Sequence, residues 1–286
     1  MERTGQQALV VEGGAMRGIF AAGVLDCWLH HHYQPFDLVL GVSAGATNSV
    51  GYLCRQPGRS RKIISRLART RRFFDPRRFA LGGHLADVAW LWHESRKVLP
   101  LNLGNFDEAC PLLVVITDVA TGQPRYLQAS RDNLDPLMLA TCALPLVYKA
   151  MPEFEDKPYT DGGMSDSIPV AEAYRRGARD ITVVLSHPLG YRKKPSRLPW
   201  LTQRLFKDQP QLAQTLLDRA KHYNAALDFI ESPPADCRVQ VVAPPPDFAV
   251  GRLTMDKAKV DAGYRMGLDQ GLAHLQRLGL QEAASA

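Results

Sequence analysis

The chain has 286 residues, of which 45% are hydrophobic and 22% are charged. This composition is typical of folded globular proteins and excludes a disordered or fibrous chain, and the length suits one compact domain over residues 1–286. The formal net charge of +6 favours contact with an anionic partner, such as a phospholipid surface or a nucleic acid.

The sequence carries no signal for secretion or for a membrane span. Its first apolar run, residues 8–11, is too short for a signal-peptide core, and no run approaches the roughly 18 apolar residues of a membrane-spanning helix. The cysteines are odd in number and widely spaced, which predicts free thiols rather than disulfides or a zinc site: Cys27, Cys54, Cys110, Cys142 and Cys237. We expect a cytoplasmic protein, with peripheral membrane contact left open.

Two strand–turn–helix units open the chain. The first combines a strand over 8–12 with a helix over 17–31, and the second combines a strand over 36–40 with a helix over 46–54. A glycine-containing turn joins strand to helix in each unit. Consecutive units of this kind predict a parallel sheet.

Later segments continue the alternation of strands and helices. Short runs rich in Val and Ile predict further buried strands, and longer periodic runs predict helices. The predicted strands are 112–117, 181–185 and 239–242, and the predicted helices are 170–176, 211–229 and 255–278. The pattern favours a three-layer α/β/α fold around a mainly parallel sheet, with a motif-bearing core over 8–190 and C-terminal helical and strand elements over 205–280.

Two segments differ from the rest and are interpreted as covering or approaching a site. Residues 59–78 are densely basic and contain Phe73 and Phe74, and a helix with two tryptophans follows. This segment is either a solvated basic face or a patch for anionic lipid. Residues 189–204 form a proline-containing linker with Trp200. No nucleic-acid-binding module is recognisable, so nucleic acid is not an expected partner.

The pattern Gly41-Val-Ser43-Ala-Gly45 lies between a predicted strand and a predicted helix. This is the context that a nucleophile elbow requires, because the glycines permit a tight backbone path that exposes the serine hydroxyl. The following helix N-terminus favours negative charge nearby. The residue pattern alone is weak evidence for a nucleophile elbow, and its position between a strand and a helix strengthens this evidence.

A run of small residues, Gly13-Gly14-Ala15, also lies between a strand and a helix. Its backbone N–H groups are predicted to point into the crevice at the carboxyl edge of the sheet, as an oxyanion hole requires. The alternative is a nucleotide-phosphate loop, but the run matches neither the dinucleotide fingerprint nor the Walker pattern. Arg17 is interpreted as a structural residue or as a phosphate-facing charge.

The third pattern is Asp161-Gly162-Gly163. In isolation an aspartate before two glycines indicates only a turn. A serine hydroxyl, however, needs a base to accept its proton, and a carboxylate can serve if burial or fixed geometry raises its basicity.

The three patterns together, in this order, resemble the motifs of patatin-like phospholipases. The similarity extends to residues 113–121 and 143–145 and so covers most of residues 8–190. It implies a serine–aspartate dyad that hydrolyses lipid acyl esters without a catalytic histidine, metal or cofactor. In this scheme Ser43 attacks the ester carbonyl carbon, Asp161 acts as general base, and water then hydrolyses the acyl-enzyme.

The resemblance also implies an oxyanion hole formed by the N–H groups of Gly13, Gly14 and Ala15, together with that of Ala44. One position departs from the family pattern, since Ala15 stands where a third glycine is usual. The N–H survives this change, but a Cβ costs about 1 kcal/mol or more if the position needs positive φ. The remaining motif positions are expected to support the backbone geometry: Arg17, Gly18, Gly41, Gly45, Gly162 and Gly163.

Two other interpretations stay open. A Ser–Asp–His triad would use His187, which follows a predicted strand. Alternatively, the chain binds lipid on the same fold without turnover. A metal site at the run His30-His31-His32 is disfavoured, because consecutive side chains on a helix point in different directions. The sequence leaves head-group and acyl-chain preference, and hydrolase against acyltransferase activity, undetermined.

Overall fold

The computed structural model describes residues 6–280 and centres on a mixed sheet of eight strands. The strands are β1 (Gln6–Val11), β2 (Leu38–Val42), β3 (Leu112–Asp118), β4 (Pro124–Gln128), β5 (Glu153–Phe154), β6 (Lys157–Asp161), β7 (Ala178–Val184) and β8 (Arg238–Val242). The helices are α1 (Gly18–His30), α2 (Ala44–Leu53), α3 (Arg59–Ser65), α4 (Pro76–Ala80), α5 (Val88–Val98), α6 (Leu103–Glu108), α7 (Leu134–Cys142), α8 (Val170–Arg175), α9 (Pro199–Leu205), α10 (Pro210–Glu231) and α11 (Lys257–Arg277).

The strand order is β5-β6-β3-β2-β1-β7-β8, and β4 also pairs with β3. The five central strands from β3 to β8 run parallel, whereas β4 and β6 pair antiparallel with β3. Parallel neighbours require crossover connections, and the helices supply them. The predicted three-layer α/β/α fold with a mainly parallel sheet is confirmed.

Alternate residues of the central strands face opposite layers of the protein. On β1, Leu9 and Val11 pack with the cluster that contains Phe20 and Trp28 of α1. Ala8 and Val10 pack with the cluster beneath α8 and α10. Side chains of successive strand residues point to opposite faces, and both faces of this sheet are covered. The strands therefore read as continuous apolar runs in the sequence.

The C-terminal elements join the same sheet and helical layer as the N-terminal ones. β8 pairs in parallel with β7, and α11 packs along α1, where the Trp28 indole donates a hydrogen bond to the Gly271 carbonyl oxygen at 3.2 Å. In the described part of the chain, every helix is too short or too polar to span a bilayer.

The pairing register fixes where the catalytic candidates meet. Val42, the last residue of β2, lies opposite Val115 of β3, and Ile116 of β3 lies opposite Asp161, the last residue of β6. β4 pairs with the same stretch of β3, residues 113–117, on the opposite edge. The ends of β2 and β6 therefore meet on one edge of β3, at its neighbouring residues 115 and 116. Ser43 follows β2 directly, so it lies close to Asp161.

Candidate active site

Ser43 occupies a strained turn between β2 and α2. Its φ of 52° and ψ of −125° are unusual for a residue with a Cβ, and such conformations persist only where the surroundings hold them. The Ser43 N–H donates to Thr141 Oγ1 at 2.8 Å, and Thr141 Oγ1 donates to the Val115 carbonyl oxygen at 2.6 Å. The predicted elbow is therefore anchored to α7 and to β3.

The elbow also packs directly against β1 through Gly45. A Cβ at this position would lie 2.3 Å from the Val11 carbonyl oxygen, far inside van der Waals contact. Only glycine permits this approach, because any side chain would push α2 away from the sheet. The close contact brings the end of β2 beside the glycine turn that follows β1.

Asp161 lies within hydrogen-bond distance of the predicted nucleophile. Ser43 Oγ donates to Asp161 Oδ2 at 2.8 Å, although the residues are separated by 118 positions in the sequence. The other carboxylate oxygen, Oδ1, accepts the Gly163 N–H at 2.8 Å. This second bond fixes the carboxylate plane and leaves Oδ2 facing the serine hydroxyl.

Burial makes the Asp161 carboxylate more basic than an ordinary aspartate. The residue is only 5% exposed, and this desolvation raises the pKa of Asp161 above 3.8. The hydrogen bonds from Ser43 and Gly163 and the charges of Arg219 and Arg252 oppose the rise without cancelling it. The raised pKa suits a carboxylate that accepts a proton from a hydroxyl.

The glycine turn presents unpaired backbone donors beside Ser43. Within residues 6–280, the N–H groups of Gly13, Gly14 and Ala15 donate to no other protein group. Ala15 has a φ of 49°, so the left-handed conformation that glycine favours is present, and its Cβ costs about 1–2 kcal/mol there. The N–H of the next residue, Met16, donates to the Arg252 carbonyl oxygen at 3.3 Å.

Arg17 and Gly18 follow the turn and are buried at the start of α1. Burial and the nearby charge of Arg252 lower the pKa of Arg17, and its Nε has no hydrogen-bond partner in the described structure. The Gly18 carbonyl oxygen accepts a hydrogen bond from Asn48 Nδ2 at 2.7 Å. Gly18 thus ties α1 to α2, while Arg17 contributes an unneutralised buried charge close to the turn.

A cavity of about 350 Å³ opens on Ser43 and Asp161. Most of its wall is apolar, and it is large enough for an acyl chain rather than a single water molecule. The apolar lining comes from α3, α5, α7 and the segments between them: Ile63, Ile64, Ala68, Phe73, Phe74, Val88, Leu91, Trp92, Met138, Leu144 and Val147. Its polar lining includes Glu12, Lys193, Arg219 and Arg252.

Phe73 and Phe74 of the basic segment 59–78 are half-buried and line the cavity, as does Trp92 of α5. Some of the segment's basic side chains also serve the fold, since Arg59 Nε donates to the Leu99 carbonyl oxygen at 2.9 Å. The prediction that this segment covers a site therefore agrees with the cavity wall, and contact of the segment with anionic lipid stays a prediction.

Sequence reasoning missed two residues that hold the site together. Thr141 orients the Ser43 backbone, and no local pattern marked it. Glu12 is buried and accepts the Ser186 N–H at 2.6 Å and the Tyr223 hydroxyl at 3.0 Å. An acidic residue at the end of an apolar strand, directly before the glycine turn, was a signal that could have identified Glu12.

His187 lies in a different environment from the serine and aspartate. Its ring stacks on Tyr191 with 3.7 Å between ring centroids and lines a separate cavity of about 40 Å³. In residues 6–280, no hydrogen bond joins it to Ser43 or Asp161. Burial and nearby cationic side chains lower the pKa of His187 to about 3. The geometry does not assemble a triad.

The histidine run at the end of α1 makes local hydrogen bonds. His30 Nδ1 bonds to the Asp26 carbonyl oxygen at 2.6 Å, and His31 Nδ1 bonds to the Cys27 carbonyl oxygen at 2.9 Å. No cluster of three His, Cys, Asp or Glu residues suited to a metal ion occurs in the part of the chain that the structure describes.

Comparison with known proteins identifies two matched regions. Residues 9–174 match the family model of patatin-like phospholipases, and residues 209–281 match a domain of unknown function, DUF6363. The uncharacterized protein YjjU of Escherichia coli (strain K12) is 36% identical over 253 residues, which is 84% of this chain and 69% of YjjU.

The crystal structure of VipD from Legionella pneumophila has a similar fold. It superimposes with a TM-score of 0.52 and 12% sequence identity, covering 95% of this chain and 67% of VipD. At that identity the likeness concerns the fold alone. The region that matches the patatin-like model covers more than half of the 286-residue chain and includes all three sequence patterns. The chain therefore belongs to the patatin-like phospholipase family.

Proposed function

We propose that this chain is a serine hydrolase that cleaves acyl esters of lipids, with Ser43 as nucleophile and Asp161 as general base. The observation that carries the proposal is the 2.8 Å hydrogen bond from Ser43 Oγ to the buried Asp161 carboxylate. It occurs at the wall of a largely apolar cavity. Family membership supports a lipid acyl ester as the substrate.

The proposed reaction has two steps. Ser43 Oγ attacks the ester carbonyl carbon while its proton passes to Asp161 Oδ2, and the protonated carboxyl then returns this proton to the leaving alcohol. Water hydrolyses the acyl-enzyme by the same route: Asp161 accepts a proton from water and returns it to Ser43 Oγ as the ester bond to serine breaks, which releases the fatty acid. The free N–H groups of Gly13, Gly14 and Ala15 stabilise the negative oxygen that develops in each step.

A lipid-binding protein without turnover is the competing hypothesis. It would require the cavity but not a hydrogen-bonded serine and carboxylate. Two strained backbone conformations, at Ser43 and Ala15, together with a buried carboxylate, are costly features that a passive cavity does not need. They favour catalysis over simple binding.

Comparison of wild type with His187→Ala tests both the activity and the dyad. Both proteins are expected to form one fluorophosphonate adduct by intact-mass analysis and to release fatty acid from lysophosphatidylcholine at rates within about tenfold of each other. His187 contacts neither reacting group in the described structure, so its removal leaves the proton path intact. Wild type without adduct or turnover would contradict the hydrolase proposal, and loss of both in folded His187→Ala would establish a triad.

We also propose peripheral contact with an anionic membrane through residues 189–207. Large apolar side chains are exposed there, including Leu189 at 72% and Trp200 at 58%, and exposed Lys and Arg side chains lie among them. Aromatic and basic side chains together favour the interface of an anionic bilayer.

Co-sedimentation with vesicles tests this contact. Wild type is expected to bind phosphatidylglycerol vesicles more tightly than phosphatidylcholine vesicles, and Trp200→Ala is expected to weaken binding several-fold because it removes an interfacial aromatic anchor. Leu280→Ala is the control, since Leu280 is also exposed but lies outside residues 189–207. Equal binding by wild type and Trp200→Ala would exclude this segment as the contact.

A further inference from the structure

Three cationic side chains from the C-terminal half of the chain line the cavity that contains Ser43: Lys193, Arg219 and Arg252. All three lie outside residues 9–174, the region matched by the patatin-like family model. They come from the linker after β7, from α10 and from the loop after β8. Arg219 and Arg252 lie in the region that matches DUF6363, and Lys193 lies between the two matched regions.

Each cation is connected to one of the loops that carry the proposed catalytic groups. Arg219 Nε donates to the Gly163 carbonyl oxygen at 2.7 Å, two residues beyond Asp161. The Arg252 carbonyl oxygen accepts the Met16 N–H at the end of the glycine turn. These contacts place the Arg219 guanidinium and the Arg252 backbone at the edge of the site.

Lys193 reaches the site through an aromatic contact. Its Nζ lies 4.0 Å from the centroid of the Tyr223 ring, and the Tyr223 hydroxyl donates to Glu12 beside the glycine turn. The Lys193 backbone is held by Asn224, whose side-chain oxygen accepts the Lys193 N–H at 2.9 Å. The lysine is therefore positioned rather than free in solvent.

None of the three cations has an anionic partner within the described residues. No salt bridge includes them, whereas the nearby Arg192 pairs with both Asp228 and Glu231. Glu12 and Asp161 are the cavity's carboxylates, and neutral donors already occupy their oxygens. The attraction of Glu12 and Asp161 offsets part of the positive charge, and three cations against two carboxylates leave an excess of positive charge at the cavity.

Without a bound anion, burial and mutual repulsion of these cations raise the free energy of the folded protein. Burial and the neighbouring arginines lower the pKa of Lys193 to about 7, and burial together with Arg252 lowers the pKa of Arg219 to about 10. Arg17, buried and with an unpartnered Nε, adds a further cation nearby. A bound anion would relieve the repulsion among these groups.

We propose that Lys193, Arg219 and Arg252 bind the phosphate of the substrate's head group, while the acyl chain lies in the apolar part of the cavity. The inference rests on the proposed hydrolase function and deepens it, because it assigns a preference for esters of phosphate-bearing lipids over neutral glycerides. The guanidinium group of arginine and the ammonium group of lysine are donors that proteins use to bind phosphate oxygens.

The test compares kcat/KM for a short-chain lysophosphatidate and for the monoacylglycerol with the same acyl chain, both below their critical micelle concentrations. Wild type is expected to prefer the lysophosphatidate, and Lys193→Met and Arg252→Met are each expected to lower this preference about tenfold or more, because each removes a charged phosphate donor. Lys194→Met, which changes the exposed neighbouring lysine, is the matched control and should keep the wild-type ratio. Arg219 is left unchanged because it also holds Gly163.

Inorganic phosphate, added to hydrolysis of a neutral nitrophenyl ester, distinguishes a lipid head group from a free anion. Inhibition by phosphate without a preference for lysophosphatidate would indicate a free-anion site and overturn the proposal. A substrate ratio that neither substitution changes would overturn it as well, with hydrolysis intact. If neither ester is hydrolysed, the proposed function itself fails, and the head-group assignment falls with it.

Discussion

Ser43→Ala is expected to form no fluorophosphonate adduct and to hydrolyse lipid and nitrophenyl esters at least about a thousandfold more slowly than wild type. Removing one member of a catalytic unit costs nearly as much as removing the whole unit, so only weak background turnover should remain. The substitution deletes the hydroxyl that donates to Asp161 Oδ2 and keeps the backbone turn. Intact-mass spectrometry, steady-state rates and circular dichroism measure labelling, turnover and folding.

A second serine on the same helix provides the control. Ser49 is buried and its hydroxyl donates to the Gly45 carbonyl oxygen at 2.8 Å, away from the cavity wall. Ser49→Ala should therefore be labelled and should turn over as wild type does. An adduct of unchanged yield on Ser43→Ala would assign the nucleophile to another residue.

Asp161→Asn is expected to lose activity by at least about a thousandfold while its thermal midpoint stays equal to or rises above that of wild type. The amide preserves the shape and can accept the Gly163 N–H, but it cannot take a proton from Ser43. The hydrolysis rate falls while stability is kept or increased, because burial makes the carboxylate a stronger base and also raises the free energy of its ionised form.

The sign of the stability effect follows from the raised pKa of Asp161. Between the unfolded pKa and the higher folded pKa, the native state holds more protons than the unfolded state, so stability falls as pH rises through this window. Above the folded pKa, the ionised carboxylate therefore lowers the stability of the protein, and a neutral amide restores it. In wild type, the same ionisation should place the acid limb of the rate profile above pH 3.8.

Calorimetry at pH 7 and a rate profile from acid to neutral pH check this prediction. Asp166→Asn is the control, because Asp166 is also strongly desolvated and accepts a hydrogen bond from the Tyr126 hydroxyl at 2.8 Å. It should keep the hydrolysis rate within about tenfold. An Asp161→Asn protein with near wild-type turnover would remove the carboxylate from the mechanism.

The parts of the site with local sequence signals were predictable. The glycine turn and the serine elbow each sit between an apolar run and a helix, and only a few spacings of small residues permit such turns. The predicted strand over 36–40 is observed as Leu38–Val42, and the helix expected from residue 46 begins at Ala44. These shifts are small because hydrophobic runs mark the existence of elements better than their ends.

The parts without local signals were missed. The strand Lys157–Asp161, which carries the carboxylate, contains a proline and buries two polar residues, Thr160 and Asp161. It therefore shows no alternation of apolar and polar residues in the sequence. Lys193 and Arg219 look like ordinary surface charges in the sequence, since a lysine in a linker and an arginine on a helix are usually solvated. Only the packing of the C-terminal elements against the catalytic loops brings these side chains to the cavity.

The strand register described above makes the spacing between serine and carboxylate a property of backbone pairing. The strand β3 sets this spacing, because Val42 pairs with Val115 and Asp161 pairs with the next residue of β3, Ile116. A slip of one residue between β3 and β6 would carry the carboxylate about 3.3 Å along the strand and turn it to the opposite face of the sheet.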